Sequence, residues 1–405
     1  MEPPSLSHVG FGTAPPHTAA SQSGGSKQST CELFFAHTPA KVWVHWPRAP
    51  LSTHSKPQVR VPPTVTHFWA GCASTAIVTR VKSMAALYSA VQLSRLRPAG
   101  HGVDGPIVWT EWLSLLDAPE ERLFWPYLVS ALAIALLAGA LGKVSLRTEL
   151  FTRALWWHPS ARADYGLFFV RALISMLLVA PLLVSSTVVA VKVVLLLSKA
   201  LGAPPEWTVG PLATTVIYTA LLFVTSDATR FLLHKAMHRV PLLWRFHQVH
   251  HSAEVMTPVT LYRTHPVEGL LVAIRGVAVT GLVGGAFAWL TRGQAVPAEV
   301  LGVNAVAFAL NLAGSNLRHS HLWIPFGPLE WVLMSPAQHQ LHHGLETSGH
   351  EVNYGSFLSL WDALSGSLVR ATKRPTAFGV ERAHLNHDPW NVFSLLGGPF
   401  RRRRG

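Results

Sequence analysis

The sequence predicts an all-α integral membrane protein, a transmembrane helix bundle. The prediction rests first on composition: the 405 residues are 49% hydrophobic and only 13% charged, against about 25% charged in an ordinary soluble domain. It rests second on apolar segments of bilayer-spanning length that alternate with short basic or histidine-rich loops from residue 123 onward. The third observation is a repeated word, His-x-x-His-His, at His247-Gln248-Val249-His250-His251 and again at His339-Gln340-Leu341-His342-His343. With 22 histidines in the chain, that word arises by chance at roughly 0.06 places per chain. Imidazole is a strong transition-metal ligand, so the bundle is expected to carry a cytosolic, helical, histidine-rich di-metal cap.

Residues 1–102 stand apart from this pattern. They are rich in Ser, Thr and Pro and sustain neither helical nor strand periodicity, which reads as a disordered extension or as a mis-assigned start with Met84 as the true one. Sparse acidic residues are compatible with a mitochondrial-type leader, and no apolar core follows Met1 to make a secretory signal. Cys31 and Cys72 are the only cysteines. A disulfide framework, a cysteine-based zinc site, an iron–sulfur motif and c-type haem attachment are thereby excluded. Any metal must be held by histidine and oxygen.

Residues 103–372 are expected to form the membrane-embedded domain. Its first span, 124–141, follows Asp117, Glu120 and Glu121 and precedes Lys143, Arg147 and Arg153. Positive flanks favour the cytoplasm, so this span enters from outside. Residues 168–197 return, with a tilt or a kink near Pro181. Residues 212–225 come back to the cytoplasmic side and deliver Asp227, Arg230 and His234. Segments 267–290 and 299–313 make a second hairpin that ends before Asn316 and Arg318. By this count both histidine words face the cytoplasm. Residues 373–405 read as a basic tail ending in Arg401 to Arg404. The net charge of +13 is spread between apolar runs, as in membrane-flanking loops, which argues against a nucleic-acid partner.

His234 and His238, four apart on one helix face, can share an ion. Alone such a pair is usually only a polar face, and Lys235 stands where a zincin protease carries its general-base Glu. The doubled word changes that weighting, because so much imidazole buried at a membrane face would leave many ring nitrogens unsatisfied without a metal. Adjacent His250 and His251 diverge by about 100° on a helix and would address different ions. Together His234, His238, His247, His250, His251, His339, His342 and His343 exceed the six ligands of one octahedral ion. Of the pair at the end of the last span, His319 is expected to be a ligand and His321 to stand behind the ligands. His265, in Tyr262-Arg263-Thr264-His265-Pro266, is open between ligand, substrate contact and interfacial residue. His350, His384 and His387 read as surface histidines.

These boxes resemble those of the fatty acid hydroxylase and sterol desaturase superfamily. The likeness extends to Trp244-Arg245-Phe246 before the first word and Ser252-Ala253-Glu254 after it, to Arg263-Thr264-His265-Pro266-Val267-Glu268 and to Ser335-Pro336-Ala337-Gln338. These flanks look like the bacterial sterol-desaturase-like branch, and the resemblance covers about 111–369. Asn353-Tyr354-Gly355 and Trp361-Asp362-Ala363-Leu364-Ser365-Gly366-Ser367 are similar to later family segments, with Ser365 where Phe is usual and Ser367 where Thr is usual.

The resemblance implies a membrane di-iron oxygenase. It would use two iron ions and O2 to hydroxylate or desaturate a C–H bond of a lipid such as a sterol or fatty acyl chain, with His234, His238, His247, His250, His251, His319, His339, His342 and His343 as metal ligands. No residue besides the ligands is assigned a catalytic role. The chain carries no dinucleotide fingerprint or cytochrome signature, so electrons must come from an external reductase, ferredoxin or cytochrome. Rival readings are an ether-lipid-cleaving membrane oxygenase, a metal transporter and a non-catalytic metal- or lipid-binding protein. Against a transporter, the intramembrane cations Arg171, Lys192 and Arg275 look too few and scattered to trace a path.

Overall fold

The computed structural model describes residues 116–174, 186–300, 302–346 and 351–401. All lie within one compact unit, Thr66–Gly405. The expectations for residues 1–102, for Met84, for a kink at Pro181 and for His350 fall outside the described residues.

The described chain is mostly helical. In order it forms α1 (Trp125–Ala140), α2 (Pro159–Ile174), α3 (Ser186–Leu201), α4 (Pro211–Arg239), α5 (Pro241–His251), α6 (Pro266–Leu290), strands β1 (Glu299–Val300) and β2 (Val303–Asn304), then α7 (Ala305–Leu312), α8 (Pro336–His343), α9 (Leu360–Ser365) and α10 (Val392–Gly397). Proline opens α2, α4, α5, α6 and α8. At that position its fixed φ suits a helix and its missing N–H would have had no intrahelical acceptor.

Two helices, α4 and α6, are long and apolar enough to cross a membrane. At 1.5 Å per residue they span about 43 Å and about 38 Å, against roughly 30 Å of hydrocarbon. Only 28% and 22% of their most apolar windows are buried, the reverse of what the core helix of a soluble protein shows. Leu212, Val216, Leu221 and Val224 of α4, Ile274 and Leu282 of α6, and Leu132 and Leu136 of α1 form the exposed apolar surface. α4 runs well past the expected 212–225. No Gly or Pro interrupts it before Pro241, which sets Val240 in the extended conformation and ends it. Its polar last three turns carry Asp227, Arg230, His234 and His238 beyond the apolar section.

The expected span at 299–313 is not formed. Residues 299–304 make an antiparallel hairpin pairing Glu299 with Asn304 and Val300 with Val303, and α7 has only eight residues, about 12 Å. Gly302 takes φ 82° in the turn, a left-handed conformation that breaks a helix. The hairpin is fastened to α4, where the Ala298 amide donates to Thr219 Oγ1 and Asn304 Nδ2 to the Thr219 carbonyl. Asn304 also caps α7 by accepting from the Val306 amide. The chain therefore returns along α4 as a tethered hairpin and a short helix.

α3 and α6 pack at backbone distance. A Cβ at Gly281 would lie 2.4 Å from Val189 Cβ, and one at Gly285 would lie 2.7 Å from the Ala190 carbonyl oxygen. Small residues four apart let two apolar helices approach where hydrophobic burial cannot drive them together.

Beyond α4 the interior turns polar. All eight residues of α8 and residues 246–251 of α5 are buried. α8 starts at a reciprocal cap in which Ser335 Oγ accepts from the Gln338 amide and Gln338 Oε1 accepts from the Ser335 amide. Gln340 Nε2 donates to the carbonyls of Ser320 and Leu322. Fully buried Arg263 joins the layers, pairing with Asp164 of α2 at 2.6 Å and donating to the carbonyl of Val249, to Ser252 Oγ and to the carbonyl of Pro389.

The segment expected to be a basic tail packs into this core through residue 401. Leu395 is buried against Leu167, Ala163 and Val249, and the Leu396 carbonyl meets His265. His384 is exposed, whereas His387, expected on the surface, is buried, and burial with the nearby Arg263 guanidinium pulls its imidazole down to about 4. The unfolded chain, with an ordinary pKa near 6.5, binds a proton that the fold refuses. Stability is thus complete above about pH 6.5 and falls by about 1.4 kcal/mol per pH unit towards 4 from this group. Denaturant midpoints between pH 7.5 and 5 should flatten in His387→Gln, and an unchanged slope would remove His387 as the cause.

Candidate metal centre

Nine histidines converge in two adjacent groups. His234, His238, His247, His251 and His342 form one, and His250, His319, His339 and His343 the other; within each, one nitrogen per ring lies within 4.8 Å of all the others. All nine are the histidines expected as ligands. His234 Nε2 is 3.0 Å from His247 Nε2, 3.3 Å from His238 Nε2 and 3.1 Å from His342 Nε2. In the second group, His319 Nε2 is 3.3 Å from His250 Nε2 and 3.0 Å from His339 Nε2. With metal–nitrogen bonds of about 2.1 Å, such separations correspond to ligand angles of roughly 90–104°, the range of octahedral to tetrahedral sites.

The two boxes interlock. In α5, His247 and His251 enter the five-histidine group and His250 the four-histidine group; in α8, His339 and His343 enter the four-histidine group and His342 the five-histidine group. Residues at i+3 and i+4 flank the face of i on opposite sides, about 100° apart, so each word can serve both groups, and the two words do so in opposite senses. The adjacent rings His250/His251 and His342/His343 stand at 90° and 87°. His251 and His343 stack across the boundary, with centroids 4.5 Å apart. α4 adds His234 and His238 to one side, and the 3-10 turn Ser315–His319 adds His319 to the other.

Backbone acceptors aim the rings. His234 Nδ1 lies 2.7 Å from the Tyr354 carbonyl, His342 Nδ1 2.7 Å from that of Val352, and His250 Nδ1 3.2 Å from that of Arg263. A carbonyl only accepts, so each Nδ1 carries the hydrogen and each Nε2 lone pair faces its group. His247 Nδ1 does the same toward Glu268 Oε1 at 3.1 Å. Burial, reinforced by the neighbouring rings, holds His250 down to about 3 and His319, His339 and His343 well below the usual imidazole range. Neutral imidazole is the form that binds metal.

The loop after α8 is built to present two of those carbonyls. Asn353, between Val352 and Tyr354, takes a left-handed φ of 53°, which asparagine tolerates, and its side chain bonds the Gln338 carbonyl and both backbone groups of Val369. At Gly355 a Cβ would sit 2.4 Å from the Leu358 carbonyl oxygen. Asp362 accepts from the amides of Tyr354 and Gly355 and from Ser367 Oγ. Serine at 367 therefore keeps the hydroxyl that this contact needs, and Ser365 lies exposed. Asp227 of α4 fastens the same loop, accepting from the amides of Phe357 and Leu358 and from Trp361 Nε1.

Two candidate histidines fall outside both groups. His265 caps α6, its Nδ1 accepting from the Val267 amide while Nε2 faces the Leu396 carbonyl. His321 Nε2 accepts from the Met256 amide. Neither ring joins either group, and both nitrogens of His265 are taken up by protein contacts. Glu268 and Asp227 are the supports that spacing rules passed over; an acid inside an otherwise apolar helix was the available signal. Glu268→Ala should weaken metal affinity 10- to 100-fold by freeing the His247 ring. Chelator competition measures this, and an unshifted competition curve would deny Glu268 that role.

The donor set fits a metal pair. Both ring nitrogens of buried His343 have no hydrogen-bond partner among the described residues, an arrangement costly for a polar ring unless an ion fills it.

Residues 219–367 match the fatty acid hydroxylase family. Curated relatives include alkylglycerol monooxygenase of Xenopus tropicalis, 28% identical over 42% of this chain and 35% of its own length. Ornithine lipid hydroxylase OlsE of Rhizobium tropici is 28% identical over 40% of this chain and 44% of its own. Very-long-chain aldehyde decarbonylase GL1-9 of Oryza sativa subsp. indica is 26% identical over 39% and 56%. The match thus spans about a third to somewhat over half of these relatives. No solved structure matches. Paired histidine groups on a helical scaffold are able to hold metal ions. All nine of these histidines lie within the segment, residues 219–367, that matches the fatty acid hydroxylase family.

Proposed function

We propose that the protein is an integral membrane, non-haem di-iron oxygenase that hydroxylates or desaturates a C–H bond of a lipid. The observation that carries this reading is the interlocked arrangement of nine histidines in groups of five and four. In it, His234, His238, His247, His251 and His342 hold one iron and His250, His319, His339 and His343 the other. Bound iron supplies the redox chemistry that O2 activation needs and that zinc lacks.

The chain's own residues orient and protect the pair. The carbonyls of Val352, Tyr354 and Arg263 and the Glu268 carboxylate fix ring tautomers. The buried α5 and α8 keep bulk water from the rings. The four-histidine group has one imidazole fewer, and all four of its rings are buried. α4 and α6 cross the membrane together with further helices, and the cap faces the cytoplasm, where an external reductase, ferredoxin or cytochrome delivers electrons. Similarity to alkylglycerol monooxygenase favours a second reading, oxidation of a carbon beside an ether oxygen.

Metal analysis of the purified full chain should find about two irons per chain, with O2 uptake on lipid extracts. Mass spectrometry then separates a gain of about 16 mass units for hydroxylation from a loss of about 2 for desaturation and from fragments of an ether lipid. Stoichiometric zinc with no O2 uptake in the iron-reconstituted protein would overturn the proposal.

A further inference from the structure

A cavity of about 410 Å³ lies between α3, α4, α6, the β-hairpin and α7, lined on its apolar side by Leu222, Phe223, Val277 and Ala307 and on its polar side by Asp227 and Arg230. Leu222, Ser226 and Arg230 follow at intervals of four along α4, and His234 is the next position on that stripe. Arg230 therefore stands one helical turn, about 6 Å of rise, from the first histidine of the five-membered group. No histidine lines the cavity itself, whose nearest link to the metal centre is this turn of α4.

Its inner end is strongly cationic. Arg230 interacts electrostatically with Arg122, Arg275 and Arg318 as well as with the Asp227 carboxylate. Three of these four are occupied. Arg122 donates to Asn311 Oδ1 and Ser315 Oγ, Arg318 Nε to the Ser315 carbonyl, and Arg275 to the Ser226 carbonyl and Thr229 Oγ1. The guanidinium carbons of Arg122 and Arg318 each lie 5.2 Å from the centre of the Phe357 ring. Arg318 is pulled down to about 10 by burial and so remains cationic at neutral pH. Arg275, a scattered cation in the linear sequence, is a member of this cluster.

The acids do not balance it. Asp227 is already engaged by two amides and the Trp361 indole, and Glu299 sits exposed at the rim. Arg230 makes no hydrogen bond to any described residue. A guanidinium with five donors and no acceptor, walled by further guanidiniums, is a site for a planar or tetrahedral oxyanion. Apolar lining in the same cavity, from Leu222, Phe223, Val277 and Ala307, favours an anion attached to a hydrocarbon chain over a free ion.

We propose that this cavity seats a lipid bearing an oxyanion, a phosphate or a carboxylate, with the anion on Arg230 and the chain along Leu222, Phe223, Val277 and Ala307. This rests on the lipid-oxygenase reading only in calling that lipid the substrate; recognition of the anion does not depend on bound metal.

Binding to the purified full chain in neutral detergent tests it, by calorimetry with four probes. Dihexanoyl phosphatidic acid and dodecanoate should each bind at least about 10-fold more tightly than their neutral counterparts, dihexanoylglycerol and dodecanol. Inorganic phosphate, run as a competitor, should displace dihexanoyl phosphatidic acid only at far higher concentration. Arg230→Gln should abolish the preference with iron content and melting temperature unchanged, and Arg230→Lys should keep part of it. Leu222→Trp, which fills the chain side, should weaken charged and neutral lipids alike and serves if Arg230→Gln fails to fold. Equal binding of charged and neutral lipids by the wild type, a preference that survives in Arg230→Gln, or inorganic phosphate as effective as the lipid would each overturn the inference. A preserved preference in protein that takes up no O2 would sink the oxygenase reading and leave this one standing.

Discussion

His343→Ala should remove one of the two metals while His342→Ala retains both. The two substitutions are neighbours in one box and equal in size, yet they deplete different groups. His343 is one of four, and its loss leaves His250, His319 and His339. Three imidazoles hold a divalent ion only with an added water, at reduced affinity. His342 is one of five, and His234, His238, His247 and His251 remain to complete a tetrahedral set. Metal content after gel filtration should therefore fall from about two to about one in His343→Ala. Turnover should fall by at least about 100-fold, beyond the 10- to 100-fold of supporting residues. His342→Ala should keep near two metals with faster exchange against a chelator. Equal depletion by both variants would contradict the assignment of box residues to opposite groups. His321→Ala serves as the control and should leave metal content unchanged, because His321 lies in neither group and its Nε2 accepts from the Met256 amide.

Arg263→Ala should destabilise the cap by about 3–5 kcal/mol, the usual penalty for removing one member of a buried ion pair. Asp164 would be left buried with only Thr260 Oγ1 as a near donor. The carbonyls of Val249 and Pro389 and the Ser252 hydroxyl would also lose their donor. Val249 and Ser252 bracket His250 and His251, so the loss reaches both metal groups through α5. Arg263→Lys should recover little, since a single ammonium cannot reproduce a guanidinium that addresses four partners at once. Thermal unfolding in detergent measures the effect. A drop of less than about 1 kcal/mol would mean the pair is dispensable and that α5 is held by its apolar contacts alone.

Much of the site is legible in the linear chain because metal ligation is a matter of residue type and helical spacing. The repeated word and the His234/His238 pair identify eight of the nine converging histidines. His319 follows from its place just after the last apolar run. His265 and His321 stay open in the linear chain, since histidine type alone does not tell a ligand from a helix cap or an acceptor for a backbone amide. The apolar run at 299–313 shows the limit of hydropathy: it has the composition of a span, but Gly302 in the left-handed region and hydrogen bonds to Thr219 turn it into a hairpin and a short helix. The charge balance is likewise hidden. Arg122, Arg230, Arg275 and Arg318 are spread over nearly two hundred positions, and only folding makes them one cationic wall.

By itself the sequence determined the class of scaffold, the long apolar helices and the histidines available to bind metal, because each depends on composition or on the 3.6-residue period of a helix. The tertiary structure alone decided which histidine joins which group, which carbonyl or carboxylate aims each ring, and where the unbalanced positive charge collects. Those outcomes depend on contacts between residues some ten to two hundred positions apart, and no local spacing carries the direction in which one helix crosses another.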